Sequence, residues 1–106
     1  MKRTEYNKIV RDRIPEIIER GGSRALWREA GPEETVKGLE DKLTEELSEY
    51  LADHSLEELP DLLEVMHGII YHRGASWEEL EAIRLKKREE RGGFERGIRL
   101  EATETE

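Results

Sequence analysis

The sequence contains no cysteine and no long hydrophobic run. Without cysteine, the chain can form neither a disulfide bond nor a thiolate metal site. No apolar segment approaches the roughly 20 residues that a membrane-spanning helix requires, and residues 1–7 lack the apolar stretch of a secretory signal peptide. We therefore expect a cytoplasmic protein that makes no membrane contact.

Hydrophobic residues are also scarce: they make up 35% of the 106 residues, whereas charged residues make up 42%. A single domain of this length and composition buries only a thin core, so we expect a homodimer or higher homo-oligomer that covers apolar surface. The net charge of -8 disfavours nonspecific binding to nucleic acid, which requires cationic side chains. An acidic protein can still bind phosphate through a metal ion.

Apolar residues recur at three- and four-residue intervals through most of the chain, which is the spacing of amphipathic helices. The longest series runs through Val36, Leu39, Leu43, Leu47 and Leu51. The pattern predicts an all-α fold, a compact helical bundle. The predicted helices cover residues from about 13 to 20, 33 to 53, 57 to 73 and 76 to 91.

Capping residues indicate where these helices begin. Asp12 is a candidate N-cap of the first helix, and Ser55 and Ser76 each precede a glutamate by three residues, which is the spacing of a capping box. Pro60 either lies in the first turn of its helix or leaves one carbonyl to water.

The remaining segments are short or polar. Residues 23–30 alternate weakly and predict a short extended segment, which we expect to pair with a second one after the Gly92-Gly93 dipeptide, over residues 94–100. Residues 101–106 are polar without periodicity, which predicts a disordered tail. Residues 1–100 are therefore expected to form a single helical domain.

Two acidic pairs lie beside the apolar stripes of the two central helices. Glu46 and Glu49 are three residues apart on one helix, and Glu58 and Asp61 have the same spacing on the next, so each pair shares a helix face. If the helices pack antiparallel, the four carboxylates converge at the edge of the helix interface and repel one another unless cations bind. Such hard oxygen donors predict a site for Mg²⁺, with Mn²⁺ as a substitute, that also binds substrate phosphates.

A solvated acidic helix face is the competing interpretation. The sequence has 26 acidic residues, and the same spacing recurs elsewhere, for example at Glu16 and Glu19. What favours a metal site is the position of the two pairs, one on each of two successive amphipathic helices and beside the apolar stripe rather than opposite it.

At these residues the sequence resembles the MazG-like, all-alpha nucleoside triphosphate pyrophosphatase superfamily. The family pattern is two glutamates, two free positions and a glutamate, followed by Glu-x-x-Asp; it is matched by Glu45, Glu46, Glu49, Glu58 and Asp61. The runs YNKIVRDRIP (residues 6–15) and RGGF (residues 91–94) look like the signatures of a compact single-domain branch similar to phosphoribosyl-ATP pyrophosphohydrolase. These matches together span almost the whole chain.

The resemblance implies a helical bundle that forms dimers or larger assemblies. It implies hydrolysis of a nucleoside triphosphate to the monophosphate and pyrophosphate, in the removal of noncanonical or surplus nucleotides. The implied Mg²⁺ ligands are Glu46, Glu49, Glu58 and Asp61. This chain departs from many members in having only eight residues between Glu49 and Glu58, which shortens the loop that helps to select the base, and in having Pro60 within the second motif.

We expect the chemistry to take place at the same carboxylates. Glu46 is the first candidate catalytic residue, and Glu45 is a candidate for orienting the attacking water, although it also fits an exposed helix glutamate. Cationic side chains should neutralise the outer phosphates, and the candidates are Lys8, Arg11, Lys87 and Arg91. For the last two, surface pairing with glutamates is the alternative.

Two other functions fit the same sequence. The first is phosphoribosyl-ATP pyrophosphohydrolase, which cleaves the same kind of bond in a similar helical fold. The second is a non-catalytic acidic helical module that binds a protein partner.

Overall fold

A computed structural model describes residues 2–106, so the predicted start of the domain at residue 1 lies outside the described residues. Within this range the chain forms four α-helices and no β-strand. The helices are α1 (Ile14–Arg20), α2 (Pro32–Asp53), α3 (Glu58–His72) and α4 (Trp77–Arg91). The all-α prediction is confirmed, and each helix begins and ends close to its predicted boundaries.

Helices α2 and α3 pack against each other as an antiparallel hairpin, which is the main helix contact of the molecule. Leu39 on α2 and Val65 on α3 are the buried apolar side chains at its centre. Gly68 permits the close approach, because a Cβ atom at this position would lie 3.1 Å from Leu39 Cδ1. The hairpin turn begins at His54, which has left-handed backbone angles at the C-terminus of α2.

Two of the three predicted helix caps are wrong. Asp12 is not the N-cap of α1: the cap position is Arg13, which has helical backbone angles and no side-chain capping bond. Ser55 does not cap α3 either, because the chain enters that helix through a turn in which Glu58 N donates to Ser55 O, so Ser55 precedes the cap position Glu57.

The third predicted cap is confirmed. Ser76 has the extended backbone of an N-cap, and its side chain accepts a hydrogen bond of 3.1 Å from Glu79 N. Pro60 lies in the first turn of α3, where the missing amide hydrogen leaves no helical bond unmade.

The predicted pairing of extended segments is not observed. Residues 23–30 and 94–100 are irregular, and no β-bridge joins them. A two-stranded pair is stable only when a further surface covers its apolar side chains, whereas the Phe94 side chain is almost fully exposed. Disorder of residues 101–106 stays a prediction.

The molecule is elongated for its length. Its principal extents are 71 × 32 × 23 Å and its radius of gyration is 19.0 Å, compared with roughly 13 Å for a compact domain of about 100 residues. Helix α4 contacts α3 alone, and α1 packs against no other helix of residues 2–106. In the same range, no helix is both long enough and apolar enough to cross a membrane.

Candidate metal centre

The α2–α3 hairpin brings three carboxylates together at the edge of its interface. Glu46 comes from α2, and Glu58 and Asp61 come from the first turn of α3. One carboxylate oxygen of each residue lies within 4.8 Å of one oxygen of each of the others. The antiparallel arrangement on which the predicted convergence depended is therefore present, and it brings these three side chains together.

Glu46 is the buried member of this carboxylate cluster, with a relative exposure of 8%. Its Oε2 atom is buried and has no hydrogen-bond partner, and its Oε1 atom lies 3.8 Å from the Lys42 ammonium, one helical turn earlier. Ionised carboxylates cannot donate hydrogen bonds to one another, so the neighbouring acids cannot satisfy Oε2. A buried oxygen with this deficit requires a proton or a cation.

The surroundings of the cluster disfavour negative charge. Burial raises the pKa of Glu46, and the negative charge of Glu49, with which it can share a proton, raises that pKa further. Partial burial likewise raises the pKa of Glu58, and the charges of Glu49, Asp53 and Asp61 act in the same direction. Glu49 itself is exposed and adds its negative charge from beside the three converging carboxylates.

The N-terminal segment supplies positive charge to this region. Arg11 Nη2 donates to Asp61 Oδ1 at 2.8 Å, and Lys8 Nζ donates to Glu45 at 3.1 Å. The segment is positioned between these two contacts by Ile9, whose side chain lies against Gly38 so closely that a Cβ atom at Gly38 would overlap it. Of the four predicted phosphate-binding residues, Arg11 therefore contacts the carboxylate cluster, and Lys8 contacts Glu45, the residue before Glu46.

The other two predicted phosphate-binding residues are on α4. Lys87 and Arg91 are exposed on α4, and within residues 2–106 no ion pair joins either of them to the carboxylate cluster. Glu45 is paired with Lys8 rather than fully solvated.

The donor set fits a hard divalent cation. Carboxylate oxygens from three side chains, one of them buried without a hydrogen-bond donor, are the type of ligand that Mg²⁺ and Mn²⁺ bind. The predicted ligands Glu46, Glu58 and Asp61 form the converging set, and Glu49 stands next to it.

A separate concave surface lies next to α1. An open cavity of about 480 Å³ lies between α1 and Trp27, and its lining includes Asp12, Glu16 and Glu19. None of the clustered carboxylates lines this cavity. It is shallow and open to solvent, so we place the candidate chemistry at the buried Glu46 rather than here.

Two contacts of the site were missed from the sequence. Lys42 stands four residues before Glu46, and this helical spacing was a readable signal for an ion pair. The contact between Arg11 and Asp61 joins residues 50 positions apart, so no local sequence pattern predicts it. No protein-family model, curated protein or solved structure matches this chain.

Proposed function

We propose that this chain is a Mg²⁺-dependent nucleoside triphosphate pyrophosphohydrolase, which removes noncanonical or surplus nucleotides. The observation that carries the proposal is the convergence of the Glu46, Glu58 and Asp61 carboxylates, of which Glu46 is buried and has one oxygen without a hydrogen-bond donor. The likeness of the acidic motifs to the MazG-like superfamily supplies the reaction type. The alternative of a solvated acidic face is weakened because Glu46 is not solvated.

Glu46, Glu58 and Asp61 would hold the metal ion, with Glu49 beside them. When bound, Mg²⁺ supplies charge neutralisation for the triphosphate and lowers the pKa of a coordinated water. The protein contributes the fixed positions of the ligands, which follow from the packing of α2 against α3.

The reaction forms a bond between a water oxygen and the α-phosphorus and breaks the bond between that phosphorus and the bridging oxygen, so that pyrophosphate leaves. The proton lost by the water passes to a carboxylate of the site, and Glu45 is the candidate for orienting that water. Lys8, which pairs with Glu45, and Arg11, which pairs with Asp61, would neutralise the outer phosphates. The same role for Lys87 and Arg91 stays a prediction.

The test is a panel of nucleoside triphosphates and phosphoribosyl-ATP assayed with Mg²⁺, with pyrophosphate and orthophosphate measured separately. We expect pyrophosphate from at least one triphosphate. Turnover of phosphoribosyl-ATP alone would assign the chain to that reaction instead. No turnover of any compound, together with no effect of Mg²⁺ on the melting temperature, would favour the non-catalytic interaction module.

Variants connect this activity to the site. Glu46→Gln and Asp61→Asn should each lower turnover by at least about a hundredfold, because each removes a negatively charged candidate ligand. Glu89→Gln is the matched control, because Glu89 is an exposed glutamate on α4. Unchanged turnover in the two site variants would reject the assignment.

We also propose that the chain works as a homodimer or higher oligomer. Apolar side chains remain exposed in rows at helical spacing: Leu47 and Leu51 on α2, and Leu59, Leu63 and Met66 on α3. With so few buried side chains, a second copy that covers these rows would supply the apolar burial that the monomer lacks.

A further inference from the structure

Arg11 contacts Asp61, one of the carboxylates that would also bind a metal ion. Its guanidinium bonds Asp61 Oδ1 at 2.8 Å, while Oε2 of the neighbouring Glu46 remains without a donor. The guanidinium therefore compensates one carboxylate of the cluster and leaves Oε2 of the most deeply buried one without a hydrogen-bond donor. The positive charge comes from an irregular segment rather than from α2 or α3, so it can move without disturbing the helix packing.

The position of Arg11 depends on neighbouring contacts of the same segment. Lys8 bonds Glu45, and the Ile9 side chain lies against Gly38, where any larger residue would displace it. Three contacts within four residues thus hold the segment along the α2–α3 hairpin. Both partners in the Arg11–Asp61 pair are about half exposed, so solvent and ions can reach the pair and exchange at it.

We propose that Arg11 is a resident counter-ion of Asp61 that competes with the divalent cation and, once displaced, binds the phosphate groups of the ligand. The inference rests on the proposed metal site. A guanidinium and a divalent cation repel each other when both contact one carboxylate, so Arg11 weakens binding of the metal alone. An anionic ligand removes this repulsion because its oxygens accept hydrogen bonds from the guanidinium and draw it away from the metal. Metal and phosphate therefore bind cooperatively.

The first test measures Mn²⁺ binding without phosphate by isothermal titration calorimetry. Arg11→Gln should bind Mn²⁺ about tenfold more tightly than the wild type, because the repulsion between a single and a double positive charge about 5 Å apart is of this order even in water-like surroundings. Arg13→Gln is the matched control: Arg13 is exposed, and no ion pair involves it within residues 2–106. It should bind Mn²⁺ as the wild type does.

The second test measures inorganic pyrophosphate binding in saturating Mg²⁺. Here the same variant should bind about tenfold more weakly, since it lacks the charge-assisted bonds to phosphate oxygens. A reversal of sign between the two titrations is the signature of the proposal. A purely structural role of Arg11 would weaken both.

A second variant changes the position of Arg11 while keeping its charge. Gly38→Ala displaces Ile9 and should loosen the segment that carries Arg11, which raises the affinity for Mn²⁺ alone in the same direction as Arg11→Gln. Alanine favours the helix, so the α2–α3 hairpin should remain folded by circular dichroism.

Each remaining outcome has a definite meaning. Mn²⁺ affinity that is unchanged or lower in Arg11→Gln overturns the proposal and leaves the metal site intact. Absence of Mn²⁺ and Mg²⁺ binding to the wild type overturns both the metal site and the competition. Tighter Mn²⁺ binding with unchanged pyrophosphate binding keeps the competition and refutes the transfer of Arg11 to phosphate.

Discussion

The side chain of Glu46 is nine-tenths buried beside two other carboxylates, and its Oε2 atom lacks a hydrogen-bond donor. A charged group in such surroundings lowers the stability of the fold unless a cation binds to it. Lys42 offsets part of this cost from 3.8 Å, a distance too long for a hydrogen bond. The residue thus reduces stability in the metal-free protein and, under the proposed function, contributes affinity for the ion.

Replacing Glu46 with glutamine should stabilise the metal-free protein at pH 7. Because the folded-state pKa of Glu46 is raised, the folded state takes up a proton before the unfolded state as the pH falls, so acidification through that pKa stabilises the wild type. The advantage of Glu46→Gln should be about 4 °C in melting temperature at pH 7 and should shrink as the pH falls. Thermal melts with a chelator measure it.

The same melts contain their own control. Glu89→Gln should leave the melting temperature unchanged, because Glu89 is exposed on α4 and forms no ion pair within residues 2–106. With Mg²⁺ present the order should reverse, because the wild type binds the ion more tightly than Glu46→Gln. If Glu46→Gln melts below the wild type at pH 7 without metal, the attraction to Lys42 outweighs the cost of burial.

Helical spacing accounts for the part of the site that the sequence predicted. Glu46, Glu58 and Asp61 were identifiable because their offsets from the apolar stripes fix where they lie on α2 and α3. The contacts of Arg11 and Ile9 were not, because an irregular segment has no period that indicates which surface it touches. Gly38 was the one local hint, since glycine inside a helix often has a packing reason.

At the scale of the elements, the capping residues were predicted less well than the positions of the helices. Ser55 and Ser76 have the same spacing to a following glutamate, yet only Ser76 is the N-cap of its helix, with its hydroxyl accepting a bond from the third amide, whereas the cap position of α3 is Glu57. Ser55 instead accepts a 3.3 Å bond from Glu57 N within a turn. The difference arises from the route by which the chain enters each helix, which spacing does not encode.

This pair of serines makes a matched test of capping. Ser76→Ala should destabilise the protein by about 1 kcal/mol, because it removes the bond to Glu79 N. Ser55→Ala should cost only a few tenths of a kcal/mol, since its longer bond lies in an exposed turn. Urea denaturation of the two variants measures the difference. Equal losses would mean that Ser55 stabilises α3 despite its position outside the cap.

The predicted pairing of residues 23–30 with residues 94–100 was wrong, and the reason also lies at the scale of the elements. A weak alternation of apolar and polar residues over eight positions indicates a preference for extended backbone. A strand forms only when a neighbouring strand pairs with it and another surface covers one of its faces. Leu26 and Trp27 remain exposed in the single chain. Residues 23–30 therefore connect α1 and α2 without joining a sheet.

At the scale of the whole molecule, the composition was the reliable guide. The scarcity of hydrophobic residues predicted a thin core, and Leu39 and Val65 are the only buried apolar residues among residues 2–106. The overall shape could not be predicted, because it depends on how α4 and the terminal segments lie relative to the hairpin, and amphipathic periodicity gives no such angle.

Self-association can be tested through the exposed apolar row of α3. We expect the wild type to sediment at micromolar concentration as a species larger than 12.4 kDa. Leu63→Glu places a charge in that row and should shift the protein to the monomer. Leu100→Glu is the control at an exposed position outside the helices. A wild-type monomer, or dissociation by both variants alike, contradicts an interface on α3.

Helix α1 shows what the docking of the N-terminal segment does beyond the site. It has seven residues and no helix neighbour among those described, and a peptide of that length does not stay coiled in water by itself. Its neighbour in sequence is the segment that Ile9 and Arg11 fasten to the hairpin. If a ligand releases Arg11, the N-terminal segment loses that attachment to the hairpin. We then expect α1 to unfold locally when a ligand binds at the carboxylate cluster.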